Sequence, residues 1–495
     1  MFIDARTLES GTTVEADVCI VGGGAAGLAT ALELAGGPLS AVVLESGDGA
    51  APGRPPVGKT RGHLLAAGDG YLEATGERAF GGLGEDWHGS CRPLDPEDLA
   101  ARDWVAASGW PLAPAALAPW IARAAALLDV DLATGAAPPP AVGEGFASSW
   151  LAYAPRPSIA SLFRPTLAAA ADVRVLTSAS VTGLELDPAT GRVAAAAARC
   201  LDGPELAARA RLFVLAAGAL GNPRLLLASR GQRPRGLGNE HDLVGRYFAE
   251  QIVMPAGHAV LPGRAGAVRP YREIGPHPKS GRPVRAVLRP PGELQERHEL
   301  LNSLVMLAPA GATAAGELAG DVARLAASAR VPAAGGDPGE PVDLTAVTLR
   351  GEQTPNPASR VVLARRSDPL GVPLVDLTWK VSPHDTWSLR SAARLFGESL
   401  GRARDGRLRL PDLARITSRE YRWAGHQSGT TRMSEHPEHG VVDPDCRVHD
   451  VANLYVAGSS VFPTGGCSDP MLTALALALR LGAHLRSAAA GSPRA

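Results

Sequence analysis

A glycine-rich turn between a predicted strand and a predicted helix constrains this chain more than any other feature. The sequence GGGAAG at residues 22–27 fits the pattern GxGxxG. A continuous apolar run at 18–21 precedes it, and a stretch of small, helix-forming residues at 25–34 follows. A second apolar run at 42–44 then ends at Glu45. This order predicts a βαβ unit, and therefore a parallel sheet with helices on its faces.

The residues of this unit are those that a bound dinucleotide needs. Gly22 permits a sharp turn after the strand, Gly24 lets the backbone approach a pyrophosphate, and Gly27 allows close packing of helix and strand. The free N–H groups and the dipole at the helix N-terminus favour phosphate. Glu45 is placed to accept hydrogen bonds from a ribose diol. The pattern predicts a dinucleotide but does not separate FAD from NAD, and a glycine-rich turn in an unrelated α/β protein is the alternative.

The remaining chain divides into two ends with a different unit between them. Further strands are predicted at 173–176, 183–186, 212–215 and 454–457, and a last apolar helix at 470–486. Strand-like runs also occur at 361–363 and 375–379, whereas periodicity is weak over 255–345. One amphipathic helix is predicted there, with Leu318, Val322 and Leu325 on one face. Nucleotide-binding elements therefore occupy both ends of the chain.

Composition excludes several classes of function. A chain of 495 residues is long enough for two or more structural units. With 49 basic and 50 acidic residues, its net charge of -1 gives no reason to expect nucleic acid or a membrane as partner. The five cysteines are odd in number and form no CxxC, so neither a disulfide framework nor a metal site is predicted. We find no signal-peptide layout and no apolar run of about 20 residues, and expect a cytoplasmic protein.

Several other stretches carry recognisable motifs. FGGL at 80–83 is followed by WHGSCRPL at 87–94, and LAAGALGNPRLL occupies 215–226. The C-terminal part contains HQSGTTRM at 426–433, NLYVAGSSVFPT at 453–464 and DPMLT at 469–473. Together these motifs resemble the glucose-methanol-choline (GMC) oxidoreductase family, and within it the pyranose-oxidase-like bacterial branch.

The resemblance implies an α/β fold with a discontinuous, Rossmann-like FAD-binding domain. That domain comprises 12–250, including a flavin-adjacent loop at 76–95, and 421–490. An inserted α+β substrate-binding domain on an antiparallel sheet comprises 251–420. The implied activity is FAD-dependent oxidation of an alcohol group of a sugar, amino sugar, aminocyclitol or related polyol, with hydride transfer to flavin N5. Oxygen or another electron acceptor would then reoxidise the flavin.

The resemblance also implies the residues that hold the cofactor. They are Gly22, Gly24, Ala26, Gly27, Glu45, Ser46, Gly82, Val181, Ala217, Gly218, Gly458, Ser459, Pro470 and Met471. Some relatives attach FAD covalently through a histidine just before the tryptophan of the 87–94 motif. Asp86 stands at that place here, so we expect non-covalent FAD, with His88 as an alternative point of attachment.

Two residues are predicted to be catalytic. His426 matches the family's catalytic base, and an imidazole suits that role because it titrates near neutral pH. Asp469 occupies the second catalytic position, where the family usually has His or Asn. Asp469-Pro470 before an apolar run also fits a helix N-cap followed by Pro at N1.

A carboxylate beside an anionic reduced flavin is unfavourable. We therefore expect Asp469 to be protonated, to pair with a protonated His426, or to face a cationic substrate such as an amino sugar. A redox-neutral lyase that retains structural FAD, or a non-catalytic flavoprotein, are the alternative functions.

Overall fold

The structure is a computed structural model that describes residues 1–48, 71, 78–85, 87–132, 137–155, 158–262, 264–311, 343–413 and 421–490. The helix predicted around Leu318 and the position of Asp86 lie outside these residues.

The described residues include nineteen strands and nine α-helices. The strands are β1 (Phe2–Asp4), β2 (Thr12–Val21), β3 (Ala41–Leu44), β4 (Ser90–Cys91), β5 (Ala147–Tyr153), β6 (Val173–Thr177), β7 (Ser180–Leu186), β8 (Val193–Arg199), β9 (Glu205–Leu215), β10 (Ile252–Leu261), β11 (Gly275–Pro276), β12 (Pro283–Arg289), β13 (Ser303–Pro309), β14 (Asp343–Gly351), β15 (Arg360–Ser367), β16 (Pro373–Thr378), β17 (Arg407–Arg409), β18 (Arg422–Trp423) and β19 (Leu454–Val456). The helices are α1 (Ala25–Leu34), α2 (Pro96–Leu99), α3 (Pro114–Leu127), α4 (Ile159–Ala169), α5 (Gly218–Ala228), α6 (Ala265–Arg272), α7 (Gly292–Arg297), α8 (Pro383–Arg402) and α9 (Pro470–Ala490).

The first sheet has the order β1-β6-β3-β2-β9-β8-β7, and β19 also pairs with β9. The parallel strands of this sheet are β1, β6, β3, β2, β9 and β19. Strands β8 and β7 extend the sheet beyond β9 with antiparallel pairings. Every residue of β3 is buried, as expected for a parallel strand covered on both faces. Helices α1 and α9 pack against each other, although they come from opposite ends of the chain. The predicted βαβ unit is confirmed.

The second sheet has the order β17-β10-β14-β13-β12-β5-β4, with β11 on β12 and β18 on β10. Its pairings are antiparallel, and buried and half-buried residues alternate along the first part of β14. The short strand β4 and strand β5 belong to this sheet, although both lie in the segment assigned from sequence to the FAD-binding domain. The second sheet therefore uses strands from both sides of residue 250.

The two ends of the chain meet at the carboxyl edge of the parallel sheet. The backbone N–H of Ala216 donates to Val21 O, and that of Ala457 donates to Leu215 O, both at 2.8 Å. The ends of β2, β9 and β19 are therefore neighbours. Ligands of open α/β sheets bind at such an edge, beyond the carboxyl ends of the strands.

Candidate active site

One cavity of about 580 Å³ runs along this edge. It extends from the glycine turn and Glu45 to His426 and Asp469. Its walls include 15 of the 16 residues predicted from sequence to bind cofactor or act in catalysis: Gly22, Gly24, Ala26, Glu45, Ser46, Gly82, Val181, Ala217, Gly218, His426, Gly458, Ser459, Asp469, Pro470 and Met471. The remaining residue, Gly27, is buried beneath the turn and does not line the cavity.

The three glycines of the GxGxxG pattern have different roles. Gly22 has φ +110°, and a Cβ there would lie 2.5 Å from Ala216 O. A Cβ on Gly27 would overlap the carbonyl oxygen of Gly22. In contrast, a Cβ on Gly24 would meet only Gly82 Cα, at 3.9 Å. Gly22 and Gly27 therefore serve the packing of the turn, whereas Gly24 leaves open space on the cavity side.

Glu45 closes the nucleotide end of the cavity. Its Oε2 accepts the N–H of Gly23 and its Oε1 that of Gly47, both at 2.6 Å. Burial raises the pKa of Glu45, partly offset by the N–H groups of Gly47 and Gly23. Oε1 also accepts the hydroxyl of Ser46 at 3.3 Å, so it is Oε2 that keeps a second lone pair for a ribose hydroxyl. The open glycine backbone, the helix N-terminus and this carboxylate together fit the adenosine and diphosphate of FAD.

A salt bridge that the sequence analysis missed lies at the same end. Arg224, from α5, donates from Nη2 to Asp368 Oδ2 at 2.7 Å. Asp368 stands in the turn between β15 and β16, and Arg78 lies 3.9 Å from the same oxygen. All three residues line the cavity. Strands β15 and β16 pair antiparallel as a hairpin, and the turn between them therefore contacts α5 at the cavity through Arg224.

Gln251 fixes the orientation of His426. The Nδ1 atom of His426 lies 2.7 Å from Gln251 Oε1. The Nε2 of Gln251 donates to Gly466 O at 2.9 Å and to Ser468 O at 2.7 Å, so the amide cannot be reversed without opposing carbonyl oxygens. Since Oε1 can only accept, Nδ1 of His426 must carry a proton. In neutral His426 the lone pair is therefore on Nε2, the nitrogen nearer Asp469.

Asp469 lies directly before helix α9 and bridges the side chains of Arg350 and His426. Its Oδ1 is 3.0 Å from His426 Nε2. Arg350, on β14, donates to the same carboxylate from Nη2 at 2.9 Å and from Nη1 at 3.2 Å. Burial acts to raise the pKa of Asp469, but Arg350 and then His426 outweigh it and hold that pKa well below its usual range. Asp469 is therefore an ionised carboxylate whose charge is matched by Arg350, a partner that the sequence analysis did not foresee.

A second buried carboxylate supports the backbone of His426. Glu250 Oε1 accepts the N–H of His426 at 2.6 Å and that of Gln251 at 2.9 Å. Its Oε2 accepts the hydroxyl proton of Tyr71 at 2.7 Å. Burial raises the pKa of Glu250, and the nearby His426 opposes that rise. The adjacent pair Glu250-Gln251 thus holds both the main chain and the ring of His426.

Nothing in the sequence singled out Arg350, Glu250 or Gln251. They lie 119, 176 and 175 positions from their partners, without a local motif. Among the described residues, no group of His, Cys, Asp and Glu could hold a metal ion. No helix in the described ranges is long and apolar enough to cross a membrane.

Comparisons with known proteins show which family this chain is similar to. Residues 355–478 match the family model described as GMC oxidoreductase. The 6'''-hydroxyparomomycin C oxidase of Streptomyces lividus is 28% identical, over 65% of this chain and 53% of that protein. The C-glycoside 3-oxidase of Arthrobacter globiformis is 31% identical, over 55% of this chain and 45% of that protein. The chain thus spans about half the length of the curated relatives it matches.

The fold has solved counterparts. The crystal structure of pyridoxine 4-oxidase from Mesorbium loti superposes with a TM-score of 0.57 at 17% identity, covering 94% of this chain and 98% of that one. At this level of identity the similarity establishes the fold, an α/β architecture with a second, antiparallel sheet.

Proposed function

We propose that this chain, which belongs to the GMC oxidoreductase family, binds FAD and oxidises an alcohol group of a sugar or related polyol. One observation carries the proposal. His426 and the Gly22–Gly24 turn face the same cavity, although about four hundred residues separate them. A base near one end of a dinucleotide-sized cavity is the arrangement that alcohol oxidation requires.

The chain's own residues supply the proton chemistry. Bound FAD would supply the hydride acceptor, N5 of its ring system. Nε2 of His426 takes the proton of the substrate hydroxyl, while Gln251 keeps the other ring proton on Nδ1. The resulting imidazolium donates from Nε2 to Asp469 Oδ1, 3.0 Å away. Asp469 thus stabilises the protonated state that forms during the reaction.

The decisive experiment is an anaerobic screen of alcohols, sugars and aminated sugars for bleaching of the flavin absorbance. A substrate should bleach the wild type, and His426→Gln should slow bleaching by about 10²–10⁴-fold, the usual contribution of a general base. His241→Gln is the matched control, because His241 is exposed and lies outside the cavity. Turnover of a substrate with the flavin fully oxidised throughout would instead indicate the redox-neutral lyase.

A preference for amino sugars is a second candidate, favoured by the name of the Streptomyces lividus relative. A substrate ammonium would have to share Asp469 with Arg350, which already matches the carboxylate charge. We therefore expect at most a modest preference for the amine over the matched hydroxy sugar. Equal rates with both sugars, unchanged in Asp469→Asn, would exclude recognition of an amine through Asp469.

The mode of FAD attachment and the location of the protein stay predictions from sequence. An aspartate at position 86 cannot form the histidyl bond, so acid precipitation should release all the flavin into the supernatant. Flavin that stays with the precipitate would point to attachment, with His88 as the first residue to test. Reoxidation by oxygen, measured as peroxide, would distinguish an oxidase from a dehydrogenase. Cell fractionation would test the cytoplasmic location.

A further inference from the structure

We infer that Arg350 is a positioning residue that sets how readily His426 takes up a proton, acting through Asp469. The inference rests on the proposed function, in which His426 must be neutral to accept the hydroxyl proton. It concerns a residue of the inserted sheet that neither the motifs nor the comparisons single out.

Arg350 is held in a fixed place by the second sheet. It lies near the end of β14, opposite Val253 of β10 and Leu304 of β13. The residue is 7% exposed, and both terminal nitrogens of its side chain contact Asp469. A guanidinium does not lose its proton in proteins, so this position carries a permanent positive charge. Arg350 does not line the cavity and therefore acts on the site through Asp469.

Without Arg350, the buried carboxylate of Asp469 would act on His426 unopposed. Asp469 contacts its Nε2, and Glu250 accepts its main-chain N–H. A negative charge at this distance favours the imidazolium, typically by one to three pH units for a partly or fully buried pair. An imidazolium has no lone pair for a substrate proton. By matching the charge of Asp469, Arg350 offsets this preference for the imidazolium, while Asp469 remains an acceptor for the imidazolium formed in the reaction.

Other titratable groups surround the same carboxylates. Tyr71 donates a hydrogen bond to Glu250. The charge of Asp469 raises the pKa of Tyr153 and of Cys91, and Arg285 lies beside Tyr153. Burial is the main factor that raises the pKa of Tyr71, Tyr153 and Cys91, so these three groups are neutral at physiological pH. Among these neighbours in the described residues, Arg350 is the cation in direct contact with the partner of His426.

The test is a pH titration of His426 in the holoenzyme, by NMR of protein labelled with ¹³C-histidine. Loss of one resonance in His426→Gln assigns the signal. Arg350→Gln should move the titration midpoint up by about one pH unit or more, whereas Arg350→Lys, which keeps the charge, should move it less. In the double variant Arg350→Gln/Asp469→Asn, which removes both charges, the midpoint should return towards the wild-type value.

Asp469→Asn alone should lower the midpoint, because Arg350 then acts on His426 with no anion between them. The double variant, which also lacks the charge of Arg350, should titrate above Asp469→Asn, and this comparison keeps the inference testable if Arg350→Gln fails to fold. With a substrate from the anaerobic screen, the acid limb of kcat/KM should move with the midpoints. A merely structural role would reduce activity at every pH without moving that limb.

Unchanged midpoints in folded Arg350→Gln and Asp469→Asn would overturn the inference. Its failure is distinguishable from that of the proposed function. Midpoints that move as expected while no alcohol reduces the flavin would refute the function alone. Flavin reduction with static midpoints would refute the role of Arg350 alone.

Discussion

Gly24 offers a way to weaken FAD binding without disturbing the fold. In Gly24→Ala the new methyl group would meet only Gly82 Cα, at 3.9 Å, and would project into the cavity. Gly24 has an ordinary φ of -81°, so alanine causes no backbone strain there. The methyl group would hold the diphosphate away from the N–H groups at the start of α1. Loss of one charge-assisted hydrogen bond costs about 1.5–3 kcal/mol, or about 10–150-fold in FAD affinity.

The assay compares three glycine variants. FAD affinity is measured by flavin fluorescence on rebinding to stripped protein, and stability by thermal melting with and without added FAD. Gly27→Ala should melt lower in both conditions, since its Cβ would overlap Gly22 O. Gly231→Ala should match the wild type, because residue 231 is exposed and has open space around it. The reasoning is wrong if Gly24→Ala binds FAD as tightly as the wild type, or if its flavin-free form melts as low as that of Gly27→Ala.

Two further predictions concern a buried ionic cluster formed by Asp95, Asp98, Arg102 and Glu352. Burial is the main cause, and the charges of Glu352 and Asp95 the next, that raise the pKa of Asp98 from 3.8 to about 7. Between these two pH values the folded protein keeps a proton on Asp98 that the unfolded chain has released. The protein therefore loses stability as the pH rises from about 4 to about 7. Over this pH range the free energy of unfolding of the wild type should fall relative to that of Asp98→Asn by up to about 4 kcal/mol, at about 1.36 kcal/mol per pH unit. Plots of unfolding free energy against pH that run parallel for the two proteins would contradict this prediction. Glu352→Gln should destabilise the fold by about 3–5 kcal/mol, because Arg102, paired with Glu352 at 2.7 and 2.8 Å, would be left buried without its anion. Glu352→Gln should also reduce the pH dependence of stability that we assign to Asp98. A Glu352→Gln variant that melts at the wild-type temperature would contradict the predicted destabilisation and the proposed effect of Glu352 on Asp98.

Local interactions explain why some elements could be read from the sequence. The helix predicted at 25–34 is confirmed, because a glycine turn and a run of small residues define it without distant contacts. The strands at 42–44, 173–176 and 212–215 are confirmed within longer strands, since parallel strands are buried on both faces and read as continuous apolar runs. The last helix begins at Pro470, as the Asp-Pro pair indicates.

Most strands of the second sheet could not be predicted from the sequence, and the reasons are also physical. Strand β10 contains Pro255 and Gly257, and its register with β14 shifts between them. Such a bulge accommodates residues that normally argue against a strand. Helix α8 was also missed, although Ser382 and Asp385 form a capping box at its start that a closer reading could have found.

Short stretches of sequence were enough to predict the chemistry that local backbone geometry encodes: a dinucleotide turn, its acidic residue, and a histidine and an aspartate within recognisable motifs. They did not determine the charge state around that histidine. Only the tertiary structure brought Arg350 to Asp469 and the pair Glu250-Gln251 to His426. Such contacts depend on the register of strands and on how two sheets meet, and electrostatic energies depend on distance in space rather than on separation along the chain.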